Sequence, residues 1–177
     1  MELLPEEYTR FYIVQALFKL MDSYEFDKIS VSLIAEKAGV GRATFYRYFK
    51  SKEDVIIFYF ERHAKDFVFN QRFYPRCRED YVLLVKQIMS LFKEQKATLK
   101  LLKKAKLDSL YLNYLNKSFV AMFTRDYQDK NPYLPYIYAG MLFNVSMKWL
   151  ENDCNEDEEK LAALIVDAIY RDEKAVL

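Results

Sequence analysis

Apolar residues near the start of the chain recur at the spacing of an amphipathic helix. Five of them fall at positions i, i+3, i+4, i+7 and i+11 and so share one helical face: Ile13, Ala16, Leu17, Leu20 and Tyr24. This periodicity predicts a first helix over about residues 6–23.

Shorter helices are predicted next. Either Ser30 or Ser32 can cap a second helix, and Gly39 ends it at a position that suits a positive φ. A third helix is predicted over residues 42–49. Ser51, followed by Lys, Glu and Asp, opens a fourth, because a hydroxyl cap and early acidic residues favour a helix N-terminus.

Pro75 marks the predicted boundary between two regions, since the residue before a proline is biased away from the helical conformation. The pattern beyond it predicts five more helices, near residues 79–95, 97–105, 108–128, 133–152 and 156–172. The main apolar stripe predicted for the last helix consists of Leu161, Leu164, Ile165, Ala168 and Ile169, widened by Ala162, Val166 and Tyr170. The last two helices are apolar on more than one side and need more cover than one small chain supplies. We therefore predict a homodimer through residues 133–152 and 156–172.

The segment 36–52, EKAGVGRATFYRYFKSK, combines a helix-turn-helix spacing with clustered positive charge. Five of its seventeen residues are basic, and its only acid is Glu36 at the edge. Ala35 is small where two helices cross, Gly39 allows a sharp turn, and Val40 with Phe45 anchors the second helix against the first. In this arrangement the second helix enters the major groove of DNA.

The first residues of that second helix are predicted to face base edges. Gly41 lets the backbone approach, Arg42 can donate two hydrogen bonds to guanine, and Ala43 with the Thr44 methyl group can meet thymine methyl groups. Five flanking residues are predicted to bond DNA phosphates: Ser32, Tyr46, Tyr48, Lys50 and Lys52. For Tyr46 and Tyr48 the alternative role is half-buried packing between helices.

Composition favours a helical protein without a catalytic or metal site. Pro and Gly together number only seven of 177 residues, which argues against an all-β fold. Cys77 and Cys154 match no metal or redox spacing, and His63 is the single histidine. We predict no metal, no cofactor and no enzymatic activity, although whether Cys77 is redox-active stays open. With no signal-like start and no apolar run near the ~20 residues that span a bilayer, we expect a cytoplasmic protein without membrane contact.

Charge is distributed unevenly along the chain. Residues 69–107 carry ten Lys and Arg against three Asp and Glu, whereas residues 108–177 carry seven against twelve. A second basic cluster, KEQKATLKLLKKAK at 93–106, places lysines 93, 96, 100, 103 and 104 on one helical face. This pattern is typical of an ordinary solvated surface; the alternative is attraction to a membrane surface or an acidic partner.

The C-terminal region is rich in aromatic and methionine side chains. Seven of them are candidates for lining a pocket that suits a flat or apolar ligand: Tyr111, Tyr114, Met122, Phe123, Tyr138, Phe143 and Met147. They can equally fill the core, and both interpretations stay open.

The stretch SVSLIAEKAGVGRATFYRYFKSKEDV resembles the DNA-binding headpiece of the TetR family of bacterial transcriptional regulators. The resemblance covers residues 7–67 and rests on Ile34-Ala35, Ala38-Gly39-Val40, Thr44-Phe45-Tyr46, Phe49 and Ser51-Lys52-Glu53. It places the family's groove-facing positions at Arg42, Ala43, Thr44 and Arg47, and its phosphate-binding positions at Tyr46, Tyr48 and Lys52. Tyr48 stands where the family often has histidine. The later stretch YAGMLFNVSMKWLEND, followed by EDEEKLAALI, is similar to the C-terminal segment of TetR-like proteins common in Gram-positive bacteria.

The resemblance implies an all-α protein with an N-terminal three-helix helix-turn-helix headpiece, residues 7–67, and a C-terminal helical ligand-binding and dimerisation bundle, residues 75–177. It also implies a DNA-binding transcriptional regulator, most often a repressor, that binds a palindromic operator in double-stranded DNA as a homodimer. In many relatives a small-molecule effector controls binding. The alternative is a TetR-like co-regulator that acts through a protein partner, against which the intact basic and aromatic cluster argues.

Overall fold

The computed structural model shows a chain folded into helices. It describes residues 5–70, 77–126 and 131–169, with side chains described for 6–63, 77–124 and 131–169. The helices of these residues are α1 (Pro5–Met21), α2 (Val31–Lys37), α3 (Arg42–Tyr48), α4 (Lys52–Asn70), α5 (Arg78–Glu94), α6 (Lys96–Lys104), α7 (Asp108–Asp126), α8 (Leu134–Glu151) and α9 (Glu158–Asp167). The described residues contain no strand, and the predicted all-α fold class is confirmed.

Helix ends differ from the prediction where local turns intervene. α1 ends at Met21, so Tyr24 lies beyond the helix and is 53% exposed rather than on its buried face. A single 3₁₀ turn, Phe26–Lys28, follows and buries Phe26, which the sequence pattern did not indicate. Pro75, Tyr170 and the predicted helix end at residue 172 lie outside the described residues.

The chain divides into two compact units. The first combines Met1–His63 with Leu101–Tyr114, and the second combines Ala64–Lys100 with Leu115–Leu177. The predicted boundary near Pro75 falls outside the described residues. The domain bounds 7–67 and 75–177 therefore stay a prediction.

The first unit has an apolar core to which α1, α2, α3 and the start of α4 contribute. Members of these four helices without solvent exposure are Ile13, Leu17, Ile34, Phe45, Val55 and Ile56, and Leu102 of α6 joins them in the same unit. Phe60 adds an aromatic cluster, with its ring centroid 5.1 Å from that of Tyr111 and 5.6 Å from that of Tyr114. Both tyrosines are buried, and burial raises the pKa of the Tyr111 phenol. These contacts are packing contacts.

The second unit has its own core, in which α5 and α8 contribute the large side chains. The rings of Phe92 and Trp149 stack with centroids 6.2 Å apart, and Met89 has no exposure. The buried Ser146 hydroxyl donates to the Met89 sulfur at 3.6 Å. The Trp149 indole N–H donates to the Glu156 carbonyl at 3.2 Å, so these two buried donors are hydrogen-bonded.

α9 packs against α5 and turns one apolar residue outward. Ala162, Ile165 and Val166 are buried, whereas Leu164 is 66% exposed. The predicted main stripe included Leu164, but the buried face of α9 is centred on Ala162 and Val166. Leu164 lies two residues from each of them, about 200° around the helix, and so points away from that face.

Ion pairs add to the packing between α5 and α9. Arg78 binds Asp167 through two hydrogen bonds of 2.6 and 2.9 Å, which lower the pKa of the Asp167 carboxyl. Lys86 donates to Glu159 at 2.7 Å. The basic segment and the acidic C-terminal segment predicted from the charge distribution thus meet within one unit.

Within the part of the chain that the structure describes, no helix combines the length and the apolar character that crossing a bilayer demands.

Candidate nucleic-acid interface

α2 and α3 are joined by a tight turn that two backbone hydrogen bonds close. The Gly39 N–H donates to the Glu36 carbonyl at 3.0 Å, and the Val40 N–H donates to the Ala35 carbonyl at 2.9 Å. This pair of bonds is the Schellman pattern of a helix end. It requires a positive φ, here 69° at Gly39, which glycine adopts without steric penalty.

The start of α2 is fixed by one of the two predicted caps. The Ser30 hydroxyl accepts a hydrogen bond from the Leu33 N–H at 3.1 Å. Ser32 lies two residues further on, within the helix, with an exposed side chain. The hydroxyl of Ser32 is thus not used as the cap of α2.

α3 has a buried face and an exposed face. Phe45 has no exposure, and its ring centroid lies 5.8 Å from that of Phe49, which is 4% exposed. The outward residues include those predicted to face bases: Gly41, Arg42, Ala43 and Arg47 are exposed, and Thr44 is half-buried. Anchoring Phe45 inward therefore orients the predicted reading residues outward.

The two tyrosines of α3 differ in their surroundings. Tyr46 is 51% exposed, and its ring forms an edge-to-face pair with that of Phe45, with centroids 5.5 Å apart. Tyr48 is half-buried, and its hydroxyl accepts a hydrogen bond from Arg47 Nη2 at 3.0 Å. The Arg47 guanidinium also lies over the Tyr48 ring, 4.8 Å from its centroid. Tyr48 therefore packs within the protein while Tyr46 extends outward.

A reciprocal cap orders the start of α4 beside α3. The Ser51 hydroxyl accepts from the Asp54 N–H at 3.2 Å, and Asp54 Oδ2 accepts from the N–H groups of Ser51 (3.2 Å) and Lys50 (2.9 Å). This is a capping box with Asp in the acidic position. It fixes the backbone of Lys50 while the lysine side chain stays exposed.

Lys52 has a structural partner that the sequence did not indicate. Its ammonium donates to the Phe26 carbonyl at 2.7 Å and lies 4.2 Å from the centroid of the Phe26 ring. An ammonium carries three protons, so this bond occupies one of them. Lys52 thus stabilises the 3₁₀ turn and retains hydrogen-bonding capacity for an anion.

Among the described residues, the cations of α3 and its C-terminal flank have no acidic partner. Within the described residues no carboxylate forms an ion pair with Arg42, Arg47 or Lys50, whereas Arg62 pairs with Glu7 at 3.6 Å. Uncompensated positive charge on an exposed face attracts phosphate. This face therefore has the electrostatic character of a nucleic-acid interface.

Arg10 of α1 is part of this region, although sequence reasoning missed it. Its guanidinium carbon lies 5.1 Å from the Tyr48 ring centroid and 5.6 Å from that of Phe58. Its Nε is buried without a hydrogen-bond partner among the described residues. No local motif connects Arg10 to α3, so only the folded chain reveals the contact.

The second basic cluster behaves differently, because acidic residues of the same unit bind its first lysines. Lys93 donates to Glu158 at 2.8 Å, Lys96 pairs with Asp153 at 2.8 Å, and Lys100 binds Asp153 as well. Hydrogen bonds from Lys100 and Lys96 lower the pKa of Asp153 to about 2. Bonds from Lys93 and Ser90 lower that of Glu158.

The residues predicted to line a ligand pocket are divided between the two units. Tyr111 and Tyr114 lie in the first unit, where they pack on Phe60. The second unit holds Met122, Phe123, Tyr138 and Phe143, all half-buried, and the buried Met147. The rings of Phe123 and Tyr138 are in contact, with centroids 5.4 Å apart. The pocket itself stays a prediction.

Comparisons with known proteins match the N-terminal region in sequence. A family model described as bacterial regulatory proteins, tetR family, matches residues 13–57. An HTH-type transcriptional regulator of Staphylococcus aureus is 30% identical over 69 residues, which is 39% of this chain and 36% of that protein. The HTH-type dhaKLM operon transcriptional activator DhaS of Lactococcus lactis is 30% identical over 76 residues, 43% of this chain and 41% of DhaS. The matched segment thus spans about two fifths of the length of these curated relatives.

Solved structures match over most of the chain in fold. The fatty acid degradation regulator FadR of Bacillus halodurans superposes with a TM-score of 0.53 at 24% identity, covering 94% of this chain and 95% of that one. The transcriptional regulator FadR of Bacillus subtilis, solved in complex with stearoyl-CoA, superposes with a TM-score of 0.51 at 21% identity, covering 89% and 95%. At these identities the likeness shows the fold.

The helix-turn-helix of α2 and α3 lies inside the segment that the family model matches. The printed description of that family, bacterial regulatory proteins, agrees with the predicted helix-turn-helix headpiece. Over residues 13–57 the chain is therefore similar to the TetR family of bacterial regulatory proteins.

Proposed function

We propose that this chain represses transcription by binding a palindromic operator as a homodimer, with α3 of each copy in the major groove. One observation supports this above all. The exposed face of α3 carries cations without acidic partners in the described chain, while Phe45 on the opposite face has no exposure. Such a helix presents positive charge on a rigid support, as groove binding requires.

Two groups of residues have different roles in this proposal. Arg42, Ala43, Thr44 and Arg47 read base edges, and Gly41 lets the backbone approach. Four residues contact phosphates: Ser32, Tyr46, Lys50 and Lys52. Tyr48, for which packing was the alternative role, supports Arg47 instead. Lys50 is the clearest phosphate ligand, because its backbone is held by Asp54 and its side chain is exposed.

Dimerisation is assigned to residues 133–152 and 156–172. Apolar side chains of α8 and α9 and of the residue before α8 are strongly exposed in the single chain: Tyr133 by 71%, Tyr136 by 54%, Ile137 by 55% and Leu164 by 66%. Covering them in a second copy would remove apolar surface from water, which favours association.

A small-molecule effector completes the proposal. The second unit supplies Met122, Phe123, Tyr138, Phe143 and Met147, a set whose aromatic and thioether groups suit an apolar ligand. The similar structure of Bacillus subtilis FadR was solved with stearoyl-CoA. A ligand with a long apolar chain is therefore the first class to test.

Selection of binding sites from random double-stranded DNA, using the full chain, tests the central proposal. We expect enriched sites with two inverted half-sites whose centres lie about one helical turn apart or a multiple of it. Arg42→Ala should reduce the base preference at one base pair of each half-site. We expect a loss of about 1–3 kcal/mol in binding free energy for DNA with the preferred base.

Each other outcome of the selection is informative. Enrichment of a single half-site would contradict the dimer, and no enrichment or binding even at low salt would favour a co-regulator that acts through a protein partner. A reporter gene behind the selected site distinguishes repression from activation, the activity described for the relative DhaS.

A further inference from the structure

We propose that Arg10 is a positioning residue for DNA recognition, which acts through the Tyr48 ring to orient the Arg47 guanidinium. The proposal rests on the proposed function, since Arg47 is assigned there to base edges. It adds a residue of α1, distant in sequence from the helix-turn-helix, to the recognition machinery.

Arg10 is held by aromatic rings from two other helices. Its guanidinium carbon lies 5.1 Å from the ring centroid of Tyr48 in α3 and 5.6 Å from that of Phe58 in α4. A cation within about 6 Å of a ring centroid is attracted by the negative charge on the ring face. Arg10 thus links three helices through one planar cation.

This support continues into the core. The Phe58 ring contacts Phe49 with centroids 5.5 Å apart, and Phe49 contacts the fully buried Phe45. Tyr48 itself is half-buried. The Phe58 ring, one of the two that contact Arg10, is therefore positioned by packed neighbours.

Tyr48 connects Arg10 to the outward face. Its hydroxyl accepts a hydrogen bond from Arg47 Nη2 at 3.0 Å, and its ring lies 4.8 Å from the Arg47 guanidinium carbon. An exposed arginine otherwise samples many rotamers, and holding it in one arrangement before binding reduces the entropy lost on complex formation. Tyr48 is thus the element through which Arg10 influences Arg47.

Arg10 is half-buried, and its ring contacts favour positioning over direct contact with a phosphate. Its Nε is buried and finds no hydrogen-bond acceptor in the described residues. A phosphate ligand would present its donors to solvent, as Lys50 does. The contacts of Arg10 are instead with rings.

A double-mutant cycle on binding to the selected operator tests this. Arg10→Ala should weaken binding about fivefold, the range expected for loss of a partly buried cation–π contact. In the Tyr48→Ala background the same change should have almost no further effect, because the ring that transmits it is gone. Arg62→Ala, which removes an arginine paired with Glu7, is the matched control and should leave affinity within about twofold.

The salt dependence of binding separates positioning from direct contact. Arg10→Ala should leave the slope of affinity against salt unchanged, whereas loss of a phosphate ligand lowers it by about one unit. An unchanged cost of Arg10→Ala in the Tyr48→Ala background, or a reduced slope, would overturn the proposal. If Arg10→Ala lowers the unfolding midpoint, Arg10→Lys replaces it in the cycle, because the ammonium keeps the charge but cannot cover two rings as a planar guanidinium does.

A measurement without DNA keeps the two proposals distinguishable. In the free protein, NMR signals of the Arg47 guanidinium should be displaced by the Tyr48 ring and should move toward those of a solvated arginine in Arg10→Ala. If that shift occurs while the wild-type chain binds no DNA, the proposed function is wrong and the positioning contact is confirmed. If the Arg47 signals do not move, the positioning role is wrong whatever the chain binds.

Discussion

Two clusters of basic residues look alike in the sequence and differ in the folded chain. In the segment 36–52, no described carboxylate pairs with Arg42, Arg47 or Lys50. In the cluster 93–106, by contrast, Lys93, Lys96 and Lys100 bind Glu158 and Asp153 of the same unit. Positive charge in the first cluster is available to an external anion, whereas in the second it is neutralised at these three lysines.

The difference teaches that lysine spacing alone does not identify a binding surface. A cation already bonded to a carboxylate has lower attraction for phosphate, because the pair presents little net charge. What distinguishes the two clusters is the location of the acidic residues, which lie more than fifty positions away from Lys93 and Lys100 in the chain. Three measurements sharpen or break this contrast.

The largest effect concerns the support of the first cluster. Phe45→Ala should lower the free energy of unfolding by about 3–5 kcal/mol, because it removes a large side chain from a site without solvent exposure. The neighbouring Tyr46→Ala, at a residue 51% exposed, is the control and should change it by less than about 0.5 kcal/mol. Urea unfolding followed by circular dichroism compares them. Equal losses would show that α3 is not held by its buried face.

An intermediate effect concerns DNA affinity. Lys50→Ala should weaken binding to every DNA sequence and lower the salt slope by about 0.9, since it deletes one phosphate contact. Lys96→Ala removes the same charge from a lysine paired with Asp153 and should leave affinity and slope unchanged. Titrations at several salt concentrations measure both. An equal loss for the two variants would break the contrast between the clusters.

Lys52 is less suitable than Lys50 for that comparison. Lys52→Ala should also weaken binding to all sequences, but it deletes the hydrogen bond to the Phe26 carbonyl as well. Its effect on DNA affinity is therefore mixed with an effect on the 3₁₀ turn.

The smallest effect concerns the acid stability of the second unit. Asp153 has its pKa lowered from 3.8 to about 2 by Lys100 and Lys96, so its contribution to stability is present above pH ~4 and is lost as the pH falls toward 2. Asp153→Asn should therefore be slightly less stable than wild type at neutral pH and equal to it at the acid end. Asparagine tolerates the positive φ of 61° at this position.

Asp22→Asn is the matched control for that experiment, because Asp22 is an exposed aspartate of the first unit. Unfolding midpoints across the acid range should be the same for Asp22→Asn and wild type. A difference between Asp153→Asn and wild type that persisted unchanged at the lowest pH would contradict the linkage. The effect is small because ion pairs exposed to solvent are screened.

Features set by short stretches of sequence were predictable. The turn at Gly39 and the cap at Ser51 depend on residues within a few positions of one another, and both are as predicted. The outward position of Arg42 followed from the inward position of Phe45, because helical geometry relates them. Local chemistry therefore predicted the turn, the cap and the orientation of α3.

Contacts between distant segments were not predictable from one sequence. The bond from Lys52 to Phe26 and the position of Arg10 over Tyr48 depend on how α1, α3 and α4 approach one another. Helical periodicity identifies which residues face inward but not which of them meet. The same limit applies to Leu164, whose exposure depends on which face of α9 packs on α5.

The division of α3 into an anchored face and an outward face has a practical consequence for retargeting. A combinatorial library that varies positions 42, 43, 46 and 47 while Phe45 and Phe49 are retained changes only side chains that are exposed in the present structure. New operator preferences are then accessible by substitution without redesign of the scaffold.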